Sequence, residues 1–188
     1  MRRHYSKSTR STFAATLVLL ASVPSLADER VCRGSLGAIT VDNLRVPQYA
    51  TCTLTGTRVK GTIKVEFNAT LRARNVRMVG NVQADNAKLV NVLEGSRVGG
   101  SVQVKQGGGA NVNDSFINGD IQYESNYEML RALRNDVGGN VQAFQNVGGV
   151  VFRRNIIDGN LQCKENYPRP IGGGNIVHGN KEDQCRHL

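Results

Sequence analysis

Gly80-Asn81-Val82-Gln83, Gly100-Ser101-Val102-Gln103, Gly119-Asp120-Ile121-Gln122, Gly139-Asn140-Val141-Gln142 and Gly159-Asn160-Leu161-Gln162 repeat one phrase along the chain. A weaker copy precedes them at Gly61-Thr62-Ile63-Lys64, and a truncated one follows at Gly179-Asn180-Lys181. The glycines are 19, 20, 19, 20, 20 and 20 residues apart. A fixed period near twenty marks a solenoid, in which each repeat is one unit and stacking buries a shared core. The fixed leucines and Asn or Cys of a leucine-rich repeat are absent.

The residues after each glycine alternate. Offsets 2 and 4 are apolar (Ile63/Val65, Val82/Ala84, Val102/Val104, Ile121/Tyr123, Val141/Ala143, Leu161/Cys163), and offsets 1 and 3 are polar. A period of two describes a short strand with one buried face, and β-branched residues suit it. A second alternation follows about ten residues on, as Leu71/Ala73, Val90/Val92 and Ala110/Val112. A third apolar position stands two residues before each glycine: Val59, Met78, Val98, Ile117, Val137, Ile157 and Val177. Three inward patches per repeat predict an all-β, right-handed parallel β-helix with three short strands per coil of about 20 residues and about seven coils. At about 4.8 Å per coil, the rod would be roughly 30–35 Å long.

Corners need positive φ or a close backbone approach, which Gly and then Asn tolerate best. Asn135, Asn155 and Asn175 each stand four residues before a repeat glycine, where they are expected to stack into a hydrogen-bonded ladder. Tyr127-Glu128-Met129-Leu130-Arg131-Ala132-Leu133 has helix-forming composition, but the repeat register runs through it, so it is assigned to a strand.

The chain starts basic, with Arg2, Arg3, Lys7 and Arg10, then becomes apolar from Phe13 to Val23 and reaches the small-residue pattern Ser25-Leu26-Ala27. That is a secretory signal peptide over residues 1–27, too short to span a membrane. No later segment is apolar enough for a span. The expected location is therefore exported, periplasmic or extracellular. Cleavage removes four basic residues and lowers the net charge from +9 to +5. Residues 28–60 read as an irregular N-terminal cap coil. There Gly37-Ala38-Ile39-Thr40-Val41 imitates the repeat phrase, and Pro47-Gln48-Tyr49 looks like an insertion. Residues 61–178 carry the β-helix repeats, and 179–188 form a C-terminal cap.

Cys32 and Cys52 are 20 residues apart, and Cys163 and Cys185 are 22 apart. One coil separates residues by about one strand spacing, within the reach of a disulfide. Four cysteines in an exported chain point to disulfides, and the spacing favours Cys32–Cys52 and Cys163–Cys185, one staple at each end.

The segment Gly159-Asn160-Leu161-Gln162-Cys163-Lys164-Glu165-Asn166, with Gly172-Gly173-Gly174-Asn175 and Gly179-Asn180-Lys181-Glu182-Asp183-Gln184-Cys185, resembles the tail of a group of small exported bacterial β-helix-repeat proteins of unassigned function. More weakly, the repeats resemble bactofilins, polymer-forming β-helix proteins that work in the cytoplasm and have shorter coils. Both resemblances imply a fold, and neither brings catalytic residues.

Motifs for chemistry are missing. There is no Gly-x-Ser-x-Gly, no phosphate-binding loop, no calcium-binding nonapeptide and no Cys-x-x-Cys, and the acidic residues scatter. No cofactor and no catalysis are expected. Gln83, Gln103, Gln122, Gln142 and Gln162 should stack in register on the outward face, beside Asn81, Ser101, Asp120, Asn140 and Asn160. Such amides either satisfy one another or form a flat surface for a hydroxyl-rich glycan, an envelope polymer or a second copy of the chain. Arg74, Arg77, Arg97, Arg134, Arg153 and Arg154 precede repeat glycines by three to six residues. They form either a solvated face or a basic edge for an anionic polymer. The modest charge and few aromatics argue against nucleic acid. The expected function is an exported structural or adhesive envelope protein. A carbohydrate-binding module comes second, and a small polysaccharide-active enzyme third.

Overall fold

The computed structural model describes Met1 and residues 28–188. The expected signal peptide, Met1 apart, lies outside the described residues. Among them there are 25 short strands and no helix, and every strand pairing is parallel. The strands form three sheets of nine, eight and eight, and within each sheet the order steps by three along the chain. Each strand therefore lies beside its copy one winding away. The molecule is a β-solenoid of about seven windings with three strands each.

The first sheet runs from Glu29–Val31 to Lys181–Asp183 and holds the strands that follow each repeat glycine, such as Val102–Lys105 and Val141–Phe144. The second runs from Ser35–Leu36 to Ile171–Gly173. The third consists of two-residue strands from Thr40–Val41 to Ile176–Val177. Like lies over like: Val82 pairs with Val102, Gln83 with Gln103 and Val98 with Ile117. All three apolar patches point inward, and Ile63, Val102, Leu71, Ile117 and Leu161 are fully buried. The core is thin enough that two rings span a large part of it. Tyr123 stacks with Phe152 at 6.2 Å between centroids, and its hydroxyl donates to the Arg131 carbonyl at 2.9 Å. Burial raises the Tyr123 pKa far above the ordinary phenol range.

Three corners join the sheets, and each has its own chemistry. Between the second and third sheets, Asn135, Asn155 and Asn175 are buried and stack side chain to side chain at 3.0 and 2.9 Å, as the sequence predicts. A second buried ladder of Asn126, Asn146 and Asn166 lies between the first and second sheets and ends on Gln184. It begins where that corner gains a residue. Val104 and Ala110 are six positions apart, whereas Tyr123 and Leu130, their partners one winding on, are seven apart. The Asn side chain occupies the wider turn that Ala87 and Gly107 close in earlier windings.

At the third corner the repeat glycines stack, each N–H donating to the glycine carbonyl one winding before, as from Gly100 to Gly80 at 3.0 Å. Close approach requires these glycines. A Cβ on Gly139 would lie 2.3 Å from Asp120 Oδ1 and 2.9 Å from the Gly119 carbonyl. Positive φ falls mostly on other residues. Asn86, Gln106, Ser125 and Gln145 carry it at one corner, and Asp114, Arg134 and Arg154 at another.

The N-terminal region departs from the sequence reading. Residues 28–60 hold two windings, the first of only 14 residues, since Glu29 pairs with Asn43 and Leu44 with Ile63. Gly37 is not a repeat glycine. Asp42 occupies that position, because the Gly61 N–H donates to its carbonyl. The Asp42 carboxylate meets Lys60 Nζ at 2.9 Å. Pro47-Gln48-Tyr49 is no insertion, because Val46 and Thr51 pair with Val65 and Thr70 at equal spacing. The strand assigned to the Tyr127–Leu133 stretch is present as Leu130–Leu133, with Leu130 and Ala132 buried.

Candidate functional site

The outward faces of the three sheets are where this solenoid meets its surroundings. On the first sheet Gln83, Gln103, Gln122, Gln142 and Gln162 form one column in register. Hydrogen bonds link Gln103 Nε2 to Gln122 Oε1 at 3.0 Å and Gln142 Nε2 to Gln162 Oε1 at 2.7 Å. Between Gln122 and Gln142 the chain of bonds breaks, because Gln122 Nε2 donates to Asp120 at 3.3 Å. The column continues below as Lys64 and Arg45, and above as Glu182. Arg45 bonds Glu29 at 2.7 Å, which raises its pKa. Each amide satisfied on one side keeps donor and acceptor capacity toward solvent.

Phe144 stands in the neighbouring outward column of the same sheet, between Glu124 and Lys164. Shallow dips of about 310 and 210 Å³ flank its ring, lined by Glu124, Gln145, Lys164 and Glu165 on one side and by Lys105, Gln122 and Gln142 on the other. An aromatic ring beside amides and charges is the surface chemistry a sugar recognises, because C–H bonds lie on the ring and hydroxyls meet the polar groups. Phe144 was not among the sequence-derived candidates, although its offset of five from Gly139 places it outward.

The predicted basic edge is divided among three places. Arg77 and Arg97 lie in one outward column of the third sheet, and Arg58 completes it in the winding below. Arg134 and Arg154 occupy the positive-φ corner between the second and third sheets, and Arg153 ends a second-sheet strand. Arg134 pairs with Asp114 at 2.6 and 2.7 Å, which lowers the Asp114 pKa and raises its own. Arg74 pairs with Glu94. Offset from the glycine sorts them: Arg58, Arg77 and Arg97 precede theirs by three residues, the others by five or six. Arg58 was legible by that rule.

Next to this arginine column the third sheet has a groove of about 370 Å³. Arg97, Phe116, Asn118, Asp136 and Asp158 wall it, with Gly99 and Gly138 in its floor. Arg97 lies over the Phe116 ring with 4.3 Å from guanidinium carbon to centroid.

Both expected disulfides are present, Cys32–Cys52 with Cα atoms 5.5 Å apart and Cys163–Cys185 with 5.3 Å. Among the described residues no group of His, Cys, Asp and Glu is placed to hold a metal ion, and no helix is long and apolar enough to cross a membrane. No protein-family model, curated protein or solved structure matches the chain.

Proposed function

We propose that this chain is an exported structural or adhesive protein that makes contact through its flat solenoid faces and performs no catalysis. The in-register outward glutamine column supports this reading most directly. Parallel strands with identical outward residues form a flat and repetitive surface, suited to a repetitive partner such as an envelope polymer or a second copy of the chain. The two disulfides support an oxidising compartment outside the cytoplasm.

Phe144 beside the amides favours a second reading, a carbohydrate-binding module. The two readings separate in one experiment. Light scattering at rising protein concentration reports self-association, and a glycan array reports sugar retention. Alanine at Gln103, Gln122 and Gln142 should abolish whichever contact exists without lowering the melting temperature, since these side chains point outward. Unchanged association and unchanged retention in that triple variant would remove the glutamine face from consideration.

A further inference from the structure

We propose that the third sheet binds an acidic polysaccharide. The guanidiniums of Arg58, Arg77 and Arg97 take its carboxylates or sulfates, and the adjoining groove at Phe116 takes a sugar ring. The three arginines pair in register on successive windings, so their Cα atoms are about 4.8 Å apart. Like charges directly opposite one another destabilise a sheet. Five basic residues elsewhere on the rod, Arg45, Lys60, Arg74, Lys105 and Arg134, each hold a carboxylate. Among the described residues Arg58, Arg77 and Arg97 form no ion pair. A column of unpaired forks lies ready for a linear anion along the rod axis, and guanidinium matches carboxylate and sulfate geometry with two parallel hydrogen bonds.

The column ends at a different chemistry. Above Arg97 the same outward position is Phe116, then Asp136. Phe116 is 44 % exposed, with Arg97 covering part of it. Beside them the next outward column alternates between side chains and gaps: Val79, Gly99, Asn118, Gly138, Asp158. The gaps are built in. A Cβ on Gly99 would lie 2.4 Å from the Val79 carbonyl oxygen, and one on Gly138 would lie 2.6 Å from that of Asn118. The groove therefore has an apolar ring, an amide and two carboxylates within reach of one occupant, with guanidinium at its lower end. Carboxylates accept hydrogen bonds from hydroxyls, and an aromatic ring takes the C–H face of a sugar. A polymer with an acidic group on one unit and hydroxyls on the next fits this change of sign. A nucleic acid carries a phosphate on every unit and would bring one against Asp136 and Asp158.

This face is separate from the glutamine column, so either can fail alone. The test uses the mature full chain, from residue 28, immobilised and challenged at low salt with hyaluronan, kappa-carrageenan, neutral dextran and double-stranded DNA; both acidic probes carry one anionic group on every second sugar. Hyaluronan carries only carboxylates and kappa-carrageenan only sulfates, so the pair distinguishes a carboxylate preference from a sulfate preference. We expect one or both acidic polysaccharides to bind, to weaken with added salt, and to bind more tightly than dextran and DNA. The double variant Arg77→Gln/Arg97→Gln should lose roughly tenfold or more in affinity, about 1.4 kcal/mol. Phe116→Ala should weaken binding too, and Arg72→Gln, which removes an exposed charge from the outward face of the second sheet, should leave it unchanged. Binding of neither polyanion overturns the proposal, as does binding unaffected by the arginine changes. DNA binding as tight as that of the polysaccharides, with Phe116→Ala silent, reduces the face to a general cation exchanger and overturns it as well. Should the arginine variant lose its fold, the wild-type ranking of the four probes decides alone.

Discussion

Asn135 Nδ2 donates to Asn155 Oδ1 at 3.0 Å, one winding above, and both side chains are buried. The same oxygen accepts from the Asn135 backbone N–H at 3.0 Å. Asn155 Nδ2 in turn donates to the Ala132 carbonyl at 2.8 Å and to Asn175 Oδ1 at 2.9 Å. One amide therefore satisfies groups in the windings below and above its own and ties three successive windings together. Asn155→Ala leaves a buried backbone N–H and a buried carbonyl without partners, each costing about 1–3 kcal/mol. We expect a loss of about 3 kcal/mol or more in urea unfolding. Asn155→Asp keeps the acceptor, loses the donor and buries a charge, so it should be at least as harmful. A loss under about 1 kcal/mol for the alanine variant would mean that water replaces the ladder.

Gly139 and Gly37 look alike in sequence, each followed by a short apolar alternation, but the structure gives them opposite roles. A Cβ on Gly139 would press against Asp120 and Gly119, whereas one on Gly37 would meet nothing within 4 Å. Gly139→Ala should cost about 1–3 kcal/mol through backbone displacement. Gly37→Ala should be neutral, or stabilising by a few tenths of a kcal/mol, because only the unfolded chain loses freedom. Thermal unfolding of the two variants checks the N-terminal register directly. Equal losses at both positions would restore Gly37 as a repeat glycine.

The repeat phrase made the solenoid, its three inward patches and the glutamine column legible before any coordinates, because a strand alternates with a strict period of two and stacking forces like over like. The same logic placed both disulfides, since one winding brings its ends within bonding reach. The first winding was not legible. It spans only 14 residues, so its register cannot be found by counting twenties. The basic edge was legible as composition and not as placement. Two residues of offset move an arginine from a strand face to a corner, as Arg77 and Arg134 show. The groove at Phe116 was hidden because its members come from four windings, and no single stretch of chain displays it.

Ser125 sits at φ 56°, at a corner where Asn86, Gln106 and Gln145 in other windings are also left-handed. For an L-residue with a Cβ this conformation costs about 1–2 kcal/mol. The side-chain oxygen of Ser125 takes part in none of the hydrogen bonds that hold the corner, which run through its backbone N–H to the Phe144 carbonyl at 2.9 Å. Ser125→Gly should therefore relieve strain and raise stability by roughly 0.5–1 kcal/mol, less than the full relief because glycine is freer when unfolded. A melting temperature that falls instead would show that the serine makes a contact worth more than its strain.

The two disulfides close the two ends of a structure whose windings contact only their neighbours. Stability in such an array is a sum of local terms, so fraying starts where a winding has a neighbour on one side only. Cys163–Cys185 ties the last first-sheet strands to the C-terminal turn, and both cysteines are fully buried. Closing a loop of about 20 residues contributes on the order of 3 kcal/mol through the unfolded state. Cys163→Ala/Cys185→Ala should lower overall stability by about that amount. It should also raise hydrogen exchange over roughly residues 161–188 well before the central windings exchange, since local opening then costs less than global unfolding. Cys32→Ala/Cys52→Ala should do the same at the other end and leave the C-terminal windings protected. Exchange measured by mass spectrometry on peptides from both ends separates this from a uniform loss of protection, which would instead show that the rod opens as one cooperative unit.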